Sequence, residues 1–166
     1  RYKYTDVQAD FAPNYGISLA PLQVADMPYC STLAQADARV AAFYGQVADG
    51  ADSVVALNTM LAVDTLVVHI PRNACPQHPI QISHLLRSNV DDVMVNRRLL
   101  IVLDECAQAD VVITERAHDQ HRFLTNQVIE VVAADGSNLN LYEVEETHLL
   151  CTRYSSLFIR QGRDSR

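Results

Sequence analysis

His118, Asp119 and His121 put two imidazoles and a carboxylate within four residues. Zinc takes such donors in a tetrahedral set. A fourth ligand would have to come from elsewhere, and His-x-x-His spacing is common, so the trio reads as a solvated polar loop between strands and no metal is assigned to it. Cys75 and His78 form the second candidate. A thiol and an imidazole three residues apart can hold a metal or activate the sulfur. Pro71, Pro76 and Pro79 instead mark a rigid, exposed connector. Cys106 at a strand–turn corner and Cys151 within a strand are expected to behave as small buried hydrophobes. Cys30 precedes a predicted helix whose N-terminus could lower its pKa, but no base stands near it in sequence.

Glu143, Glu145 and Glu146 follow soon after Asp135, and Asp91 adjoins Asp92. A glycosidase needs two carboxyls across a cleft, one with a raised pKa, usually beside aromatic sugar platforms. Trp is absent and aromatics total 7%, which argues against such platforms. Glu143 and Glu145 alternate with Tyr142 and Val144, the pattern of a strand's wet face. Ser137 follows Gly136 without a G-x-S-x-G elbow. Gly45 and Gly50 have P-loop spacing, but Ala51 and Asp52 stand where Lys and Ser/Thr are required, which excludes NTP hydrolysis by this route. No catalytic residue and no metal ligand is assigned, and the cofactor-binding positions are left unknown.

The elements that position these residues follow from composition and pattern. The chain has 166 residues, of which 49% are apolar and 20% charged, a globular rather than a disordered balance. Its net charge of −7 leaves no surplus of Lys and Arg for a nucleic-acid backbone. No apolar run approaches the roughly 20 residues of a membrane span. The four cysteines form no C-x-x-C, and no basic-then-apolar signal opens the chain, so free thiols in a cytoplasmic setting are expected. The start at Arg1-Tyr2-Lys3, without an initiator Met, is expected of a part of something longer.

Residues 1–30 mix polar residues with prolines and read as an irregular lead-in. Ser31 can cap a helix running to about Asp49, with Leu33, Ala36, Val40, Phe43 or Tyr44, and Val47 on one face. A second helix from Ser53 carries Val54, Leu57 and Leu61. From residue 63 the pattern changes to short Val/Ile/Leu runs: Thr65–Ile70, Ile80–Leu86, Leu99–Leu103, Asp110–Glu115, Gln127–Val132, Leu139–Val144 and an interrupted Leu149–Ile159. The expected organisation is a lead-in with one or two helices over 1–62 and a β-rich core over 63–166.

Ile101–Val111 aligns with Val131–Leu141, each reading strand, small polar turn, strand, at an offset of roughly 30 residues, which suggests stacked solenoid coils. Asp135-Gly136 is the only Asp-Gly or Asn-Gly turn between the runs, which favours a solenoid over a hairpin-built sandwich. The expected fold is mainly β, a right-handed parallel β-helix after a short helical lead-in. A β-solenoid carbohydrate-active enzyme or sugar-binding module is the rival reading.

Lys3-Tyr4-Thr5-Asp6, Ala56-Leu57-Asn58-Thr59, Val67-Val68-His69-Ile70-Pro71 and Pro79-Ile80-Gln81-Ile82 come in the order of one known family. Arg98–Glu105 followed by Ala107, and Phe123–Glu130, continue the series. The ordered set resembles the SufD subunits of the SUF iron–sulfur cluster assembly machinery, in the SufB/SufD family. The resemblance implies a parallel β-helix core, a SufB-like partner and a SufC-like ABC ATPase partner. In that family ATP binding dimerises SufC and distorts the SufB–SufD pair. SufB-type chains read Glu-Gly-Cys-Ser where this chain has Glu115-Arg116-Ala117-His118, so the sulfur-acceptor thiol is replaced by Ala117 and the SufD reading is favoured. The stretch between Leu19 and Pro28 is short for the family. Its partner-binding helices and cluster-forming groups fall beyond Arg166. The implied function is a non-catalytic scaffold fragment that binds no cofactor itself, the cluster being handled by the intact complex. The contiguous Leu157, Phe158 and Ile159 on the last strand are expected to drive self-association, since Arg160, Arg163 and Arg166 lie past the apolar run.

Overall fold

The computed structural model describes residues 28–48 and 50–166. The Lys3–Asp6 motif and the residues between Leu19 and Pro28 lie outside them. Ten elements follow in order: β1 (Cys30–Thr32), α1 (Ala38–Ala41), α2 (Ser53–Leu61), β2 (Thr65–Ile70), β3 (Ile80–Leu86), β4 (Val93–Leu103), β5 (Gln108–Ala117), β6 (Phe123–Ala133), β7 (Asn138–Glu146) and β8 (Cys151–Gln161).

The strands alternate between two sheets. One has the order β1-β2-β4-β6-β8, the other β3-β5-β7. Every pairing is parallel except that of β1 with β2, which is antiparallel. The result is a β-solenoid of about 3 turns, as the sequence pattern predicts. The register follows the repeat: Ile101 lies on Val131 and Asp110 on Asn140.

Inward-facing residues repeat at every second position, as a pleated strand requires. Leu66, Val68 and Ile70 of β2 meet Leu99, Ile101 and Leu103 of β4, Ile129 and Val131 of β6, and Ile80, Ile82, Val111 and Ile113 from the opposite sheet. One column of corners closes each coil with a left-handed residue: Asn73, Cys106, Gly136 and Asp164 have φ of 61°, 58°, 67° and 57°. Asn and Asp tolerate this conformation. Glycine suits the third corner, where a Cβ would come within 3.4 Å of Cys106 Sγ. Cys106 is therefore an exposed corner residue and not the buried hydrophobe expected of it.

The lead-in differs from its predicted single helix. Residues 30–32 form β1 on the edge of β2, and only Ala38–Ala41 are helical, capped by Asp37. Two features override the helical periodicity. Backbone pairing with β2 captures the segment's start, and Gly45 at φ 70° breaks its later part. The apolar set was nonetheless read correctly. Leu33, Ala36, Phe43, Tyr44 and Val47 pack with Val40 onto the outer face of Val67, Leu100, Val102 and Val132. Helix α2 forms where expected, with Asp52 accepting from the Val54 and Val55 N–H groups. It buries Val55 and Asn58 rather than Val54 and Leu57. Phe158 also turns outward, packing beside Ala48, Val55 and Val128, so it does not stand with Leu157 and Ile159 at the end of the stack.

Candidate functional site

Charge lies inside the solenoid as well as outside. β4 and β6 begin earlier than their apolar runs because polar residues extend them. Within the lumen, Arg97 of β4, Glu115 of β5, Thr125 and Gln127 of β6, Glu143 of β7, Arg153 of β8 and His84 of β3 form a polar layer. Leu86, Val93, Val95 and Phe123 pack on one side of it, and Ile82, Leu99, Ile113 and Ile129 on the other. Arg97 donates to Glu115, with both side chains buried. Thr125 Oγ1 donates to the second Glu115 oxygen at 3.1 Å. Arg153 donates to Glu143 at 2.6 Å, and Gln127 reaches Glu143 and Ser155 at 3.3 Å each. Burial lowers the Arg97 pKa, Glu115 opposes that shift, and Arg153 adds to it. An ion-paired layer of this kind orders the lumen and commits its carboxylates to arginine partners. It presents neither a free base nor a nucleophile.

His84 stands apart in having no ion pair among the described residues, and its buried Nδ1, like Nε of Arg97 and Arg153, has no partner. Burial holds its pKa well below the usual imidazole range, and the nearby Arg97 and Arg153 add to the effect. The unfolded chain gains a proton on this residue below about pH 6.5, whereas the folded chain does not. Stability contributed by neutral His84 is thus present above pH 6.5 and is lost as pH falls, by up to ~1.4 kcal/mol per pH unit until the folded pKa is reached. Urea midpoints at pH 7.5 and 5.5 should differ in the parent chain, and His84→Gln should shrink that difference. An equal difference in both would remove His84 as its source.

A second constellation lies on the outer face. Glu130 interrupts the apolar run Val128–Val132, and its carboxylate accepts from the N–H groups of Gly45, Val47 and Ala48 at 3.0 Å each. Arg98 donates to it at 2.6 Å and stacks its guanidinium on Tyr44 at 5.0 Å. Burial pushes the Glu130 pKa up, but the Ala48 N–H, Arg98 and the Gly45 and Val47 N–H groups outweigh it and hold the carboxyl below its ordinary value. Asn58 adds a second tie, donating from Nδ2 to the carbonyls of Arg97 and Asn126 at 2.9 and 2.8 Å. This latch fixes the lead-in to the coils.

The residues singled out in the sequence go elsewhere. His118, Asp119 and His121 do lie in one interstrand loop. His121 Nδ1 is 3.3 Å from Asp91, Asp119 accepts from the Ser88 N–H at 2.8 Å, and His148 Nε2 is 2.7 Å from the Asp119 carbonyl. Among the described residues, no three His, Cys, Asp or Glu side chains are grouped to hold a metal. Cys75 and His78 are exposed in the connector between β2 and β3. Asp92 pairs with Arg122 at 2.7 Å, and Asp135 accepts from the Arg163 N–H at 2.8 Å. Glu143 and Glu145 are in register with Ile113 and Glu115 and so belong to the lumenal side. Tyr142 and Val144 take the outer face; Glu143 and Glu145, although on the lumenal side and bonded to Arg153, stay exposed, as the wet-face reading expects. Cys151 sits 3.8 and 3.7 Å from the two His148 ring nitrogens, but burial raises its thiol pKa and neighbouring carboxylates add to that, offsetting a lowering hydrogen bond at His148. Burial also pushes Cys30 up to about 11. Both thiols are poor nucleophiles at neutral pH.

Comparison with protein families connects this architecture to a known one. Residues 27–82 match the SufBD protein N-terminal region. Residues 86–166 match the SUF system FeS cluster assembly, SufBD core domain. The chain belongs to the SufB/SufD family. Comparison with curated proteins and with solved structures yields no match. The two family regions meet within β3, so in this SufB/SufD-family chain the N-terminal region contributes β1, α1, α2, β2 and the start of β3, and the core domain the coils from β4 onward. Of the polar lumenal layer, His84 falls between the two matched regions, and Arg97, Glu115, Thr125, Gln127, Glu143 and Arg153 lie in the core domain. Charges within strands were the signal that the sequence offered: Arg97 for this layer, and Arg98 and Glu130 for the outer latch. Among the described residues no helix is long and apolar enough to cross a membrane.

Proposed function

We infer that this chain serves iron–sulfur cluster assembly as a non-catalytic, SufD-type scaffold component, working with SufB-like and SufC-like proteins in a cytoplasmic machine. The carrying observation is the match of both SufBD regions to one coil stack whose buried charges are committed to ion pairs. Ala117 favours the SufD branch. It ends β5 beside the lumenal layer, at the position where the resemblance puts a sulfur-accepting thiol in SufB-type chains. Within such a complex this segment supplies a rigid stack, and the cluster is cargo handled by the assembly as a whole.

Three measurements test the reading. Anaerobic addition of ferrous iron and sulfide to the chain alone should give no stoichiometric cluster absorption, because Cys30, Cys75, Cys106 and Cys151 do not supply a four-thiolate set. The chain should also hydrolyse neither ATP nor glycosides. A stoichiometric cluster lost in Cys106→Ser or Cys151→Ser would overturn the scaffold reading. On co-expression the chain should co-purify with a SufB-type subunit, and failure to do so would count against the partner assignment.

A further inference from the structure

Three corner loops stack along one side of the solenoid: 87–92 between β3 and β4, 118–122 between β5 and β6, and 147–150 between β7 and β8. Carboxylates tie the first two together. Asp119 accepts from the Ser88 N–H at 2.8 Å, and Asp91 accepts from the Arg122 N–H at 3.0 Å. The third loop, Thr147-His148-Leu149-Leu150, has no carboxylate and uses an imidazole instead. His148 Nε2 is 2.7 Å from the Asp119 carbonyl oxygen, which can only accept, so Nε2 carries a proton. The Leu150 N–H lies 3.2 Å from His148 Nδ1 and can only donate, so Nδ1 carries none. Two backbone groups thus fix one neutral tautomer. Cys151 Sγ stands 3.8 Å from Nδ1 and 3.7 Å from Nε2. It is nearly equidistant from two atoms on either side of the ring's Cε1, so the ring covers the sulfur rather than binding it through one nitrogen.

We propose that His148 is a proton-operated latch on the third corner loop, closed while its imidazole is neutral and open once it is protonated. A proton taken up from solvent at Nδ1 makes both ring nitrogens donors. Nδ1–H then faces the Leu150 N–H, and the bond between them is lost. The cationic ring turns toward the carboxylates beside it: Asp119 on the second loop, and Glu145, which Thr147 Oγ1 holds at 2.6 Å. The remaining charged groups at this corner are His118 and His121 on the second loop, Glu115 and Arg116 of β5, Glu146 of β7, and Arg153 of β8. Arg116 is paired with Glu146, and Arg153 with Glu143 and Glu145. As the ring turns it uncovers Cys151. An aspartate's ordinary titration lies well below that of an imidazole, so the carboxylate ties hold while the third corner opens. The loop, and with it access to the Cys151 sulfur, responds to pH in the range where imidazole changes charge, about pH 5 to 8. The proposal is independent of the iron–sulfur assignment.

Nuclear magnetic resonance of the labelled chain tests the latch atom by atom. At alkaline pH the His148 ring nitrogens should report the proton on Nε2. On acidification the Leu150 amide should shift with the same midpoint as the His148 ring, while the Ser88 amide holds its position and shows that the solenoid stays folded. His148→Gln should abolish the Leu150 transition, and His121→Gln should keep it, which separates the latch from the other histidines. Reaction of Cys151 with a neutral disulfide reagent, taken relative to exposed Cys75 in the same sample, should rise severalfold from pH 7.5 to 5.5 in the parent and not in His148→Gln. A proton on Nδ1 at alkaline pH, or a Leu150 amide that does not follow the His148 ring, overturns the proposal. An equal change in Cys151 reactivity in parent and His148→Gln overturns the cover on the sulfur.

Discussion

Replacing Glu130 by alanine is expected to destabilise the chain by about 3–5 kcal/mol, the range for removing one partner of a buried ion pair. The side chains of Glu130 and Arg98 are 0% and 1% exposed, so no water replaces the lost carboxylate. Arg98 would keep only Thr59 Oγ1, at 3.1 Å, and the face of Tyr44. The N–H groups of Gly45, Val47 and Ala48 would lose their acceptor together. The loss should be local as well as global. Amide exchange should rise first at residues 45–48 and through α2, while β4 and β6 stay protected. Glu130→Gln should lose less, since it keeps one acceptor oxygen but turns an N–H₂ toward donors. The acid response has a defined sign. A carboxyl held below its ordinary value contributes stability that is present above the unfolded pKa, about 4.3, and is lost as pH falls through the lower folded value. Denaturant midpoints of parent and Glu130→Gln should therefore converge in acid. A cost below about 1 kcal/mol, within the range of exposed pairs, would show that the latch does not hold the lead-in.

The solenoid was legible because a stack repeats its own register. Strands β2 and β3 were read to the residue from Val/Ile/Leu runs, and the offset joining Ile101 to Val131 is also the pairing in the sheet. What escaped was polar. Met94–Arg98 and Leu124–Asn126 looked like loop because strand recognition rests on apolar alternation, yet a stacked coil pairs its backbone whatever its side chains. The lead-in hid its form for a different reason. Its apolar residues at three- and four-residue steps report burial against Leu100 and Val102, and burial alone does not distinguish one helix from a short strand, a turn and a single helical turn. Glu143 and Glu145 are exposed, as their alternation suggests, but alternation gives two faces and not which of them turns toward the lumen. The pairing of Glu143 on Ile113 and Glu145 on Glu115 decides it, and that register is not written in β7 itself.

Glu115→Ala is expected to cost a further 3–5 kcal/mol by the same rule, from inside the lumen. Arg97 would remain 8% exposed in its side chain, without a counter-ion and near Arg153, and Thr125 would lose its acceptor. The instructive comparison is the double variant Arg97→Leu/Glu115→Leu. Removing both charges abolishes the desolvation cost and extends the apolar packing of Val95 and Leu99 across the gap, so its stability should return to within about 2 kcal/mol of the parent or exceed it. Such a recovery would show that the polar layer is not needed for the fold and is there for what it does to the lumen. With both charges gone, His84 would lose one of the two cations that depress its pKa and keep the burial that depresses it most. The stability loss between pH 7.5 and 5.5 should consequently persist in the double variant at somewhat reduced size. If the double variant were as unstable as Glu115→Ala, the ion pair would be part of the solenoid's packing, and the layer would have no standing apart from the coils around it.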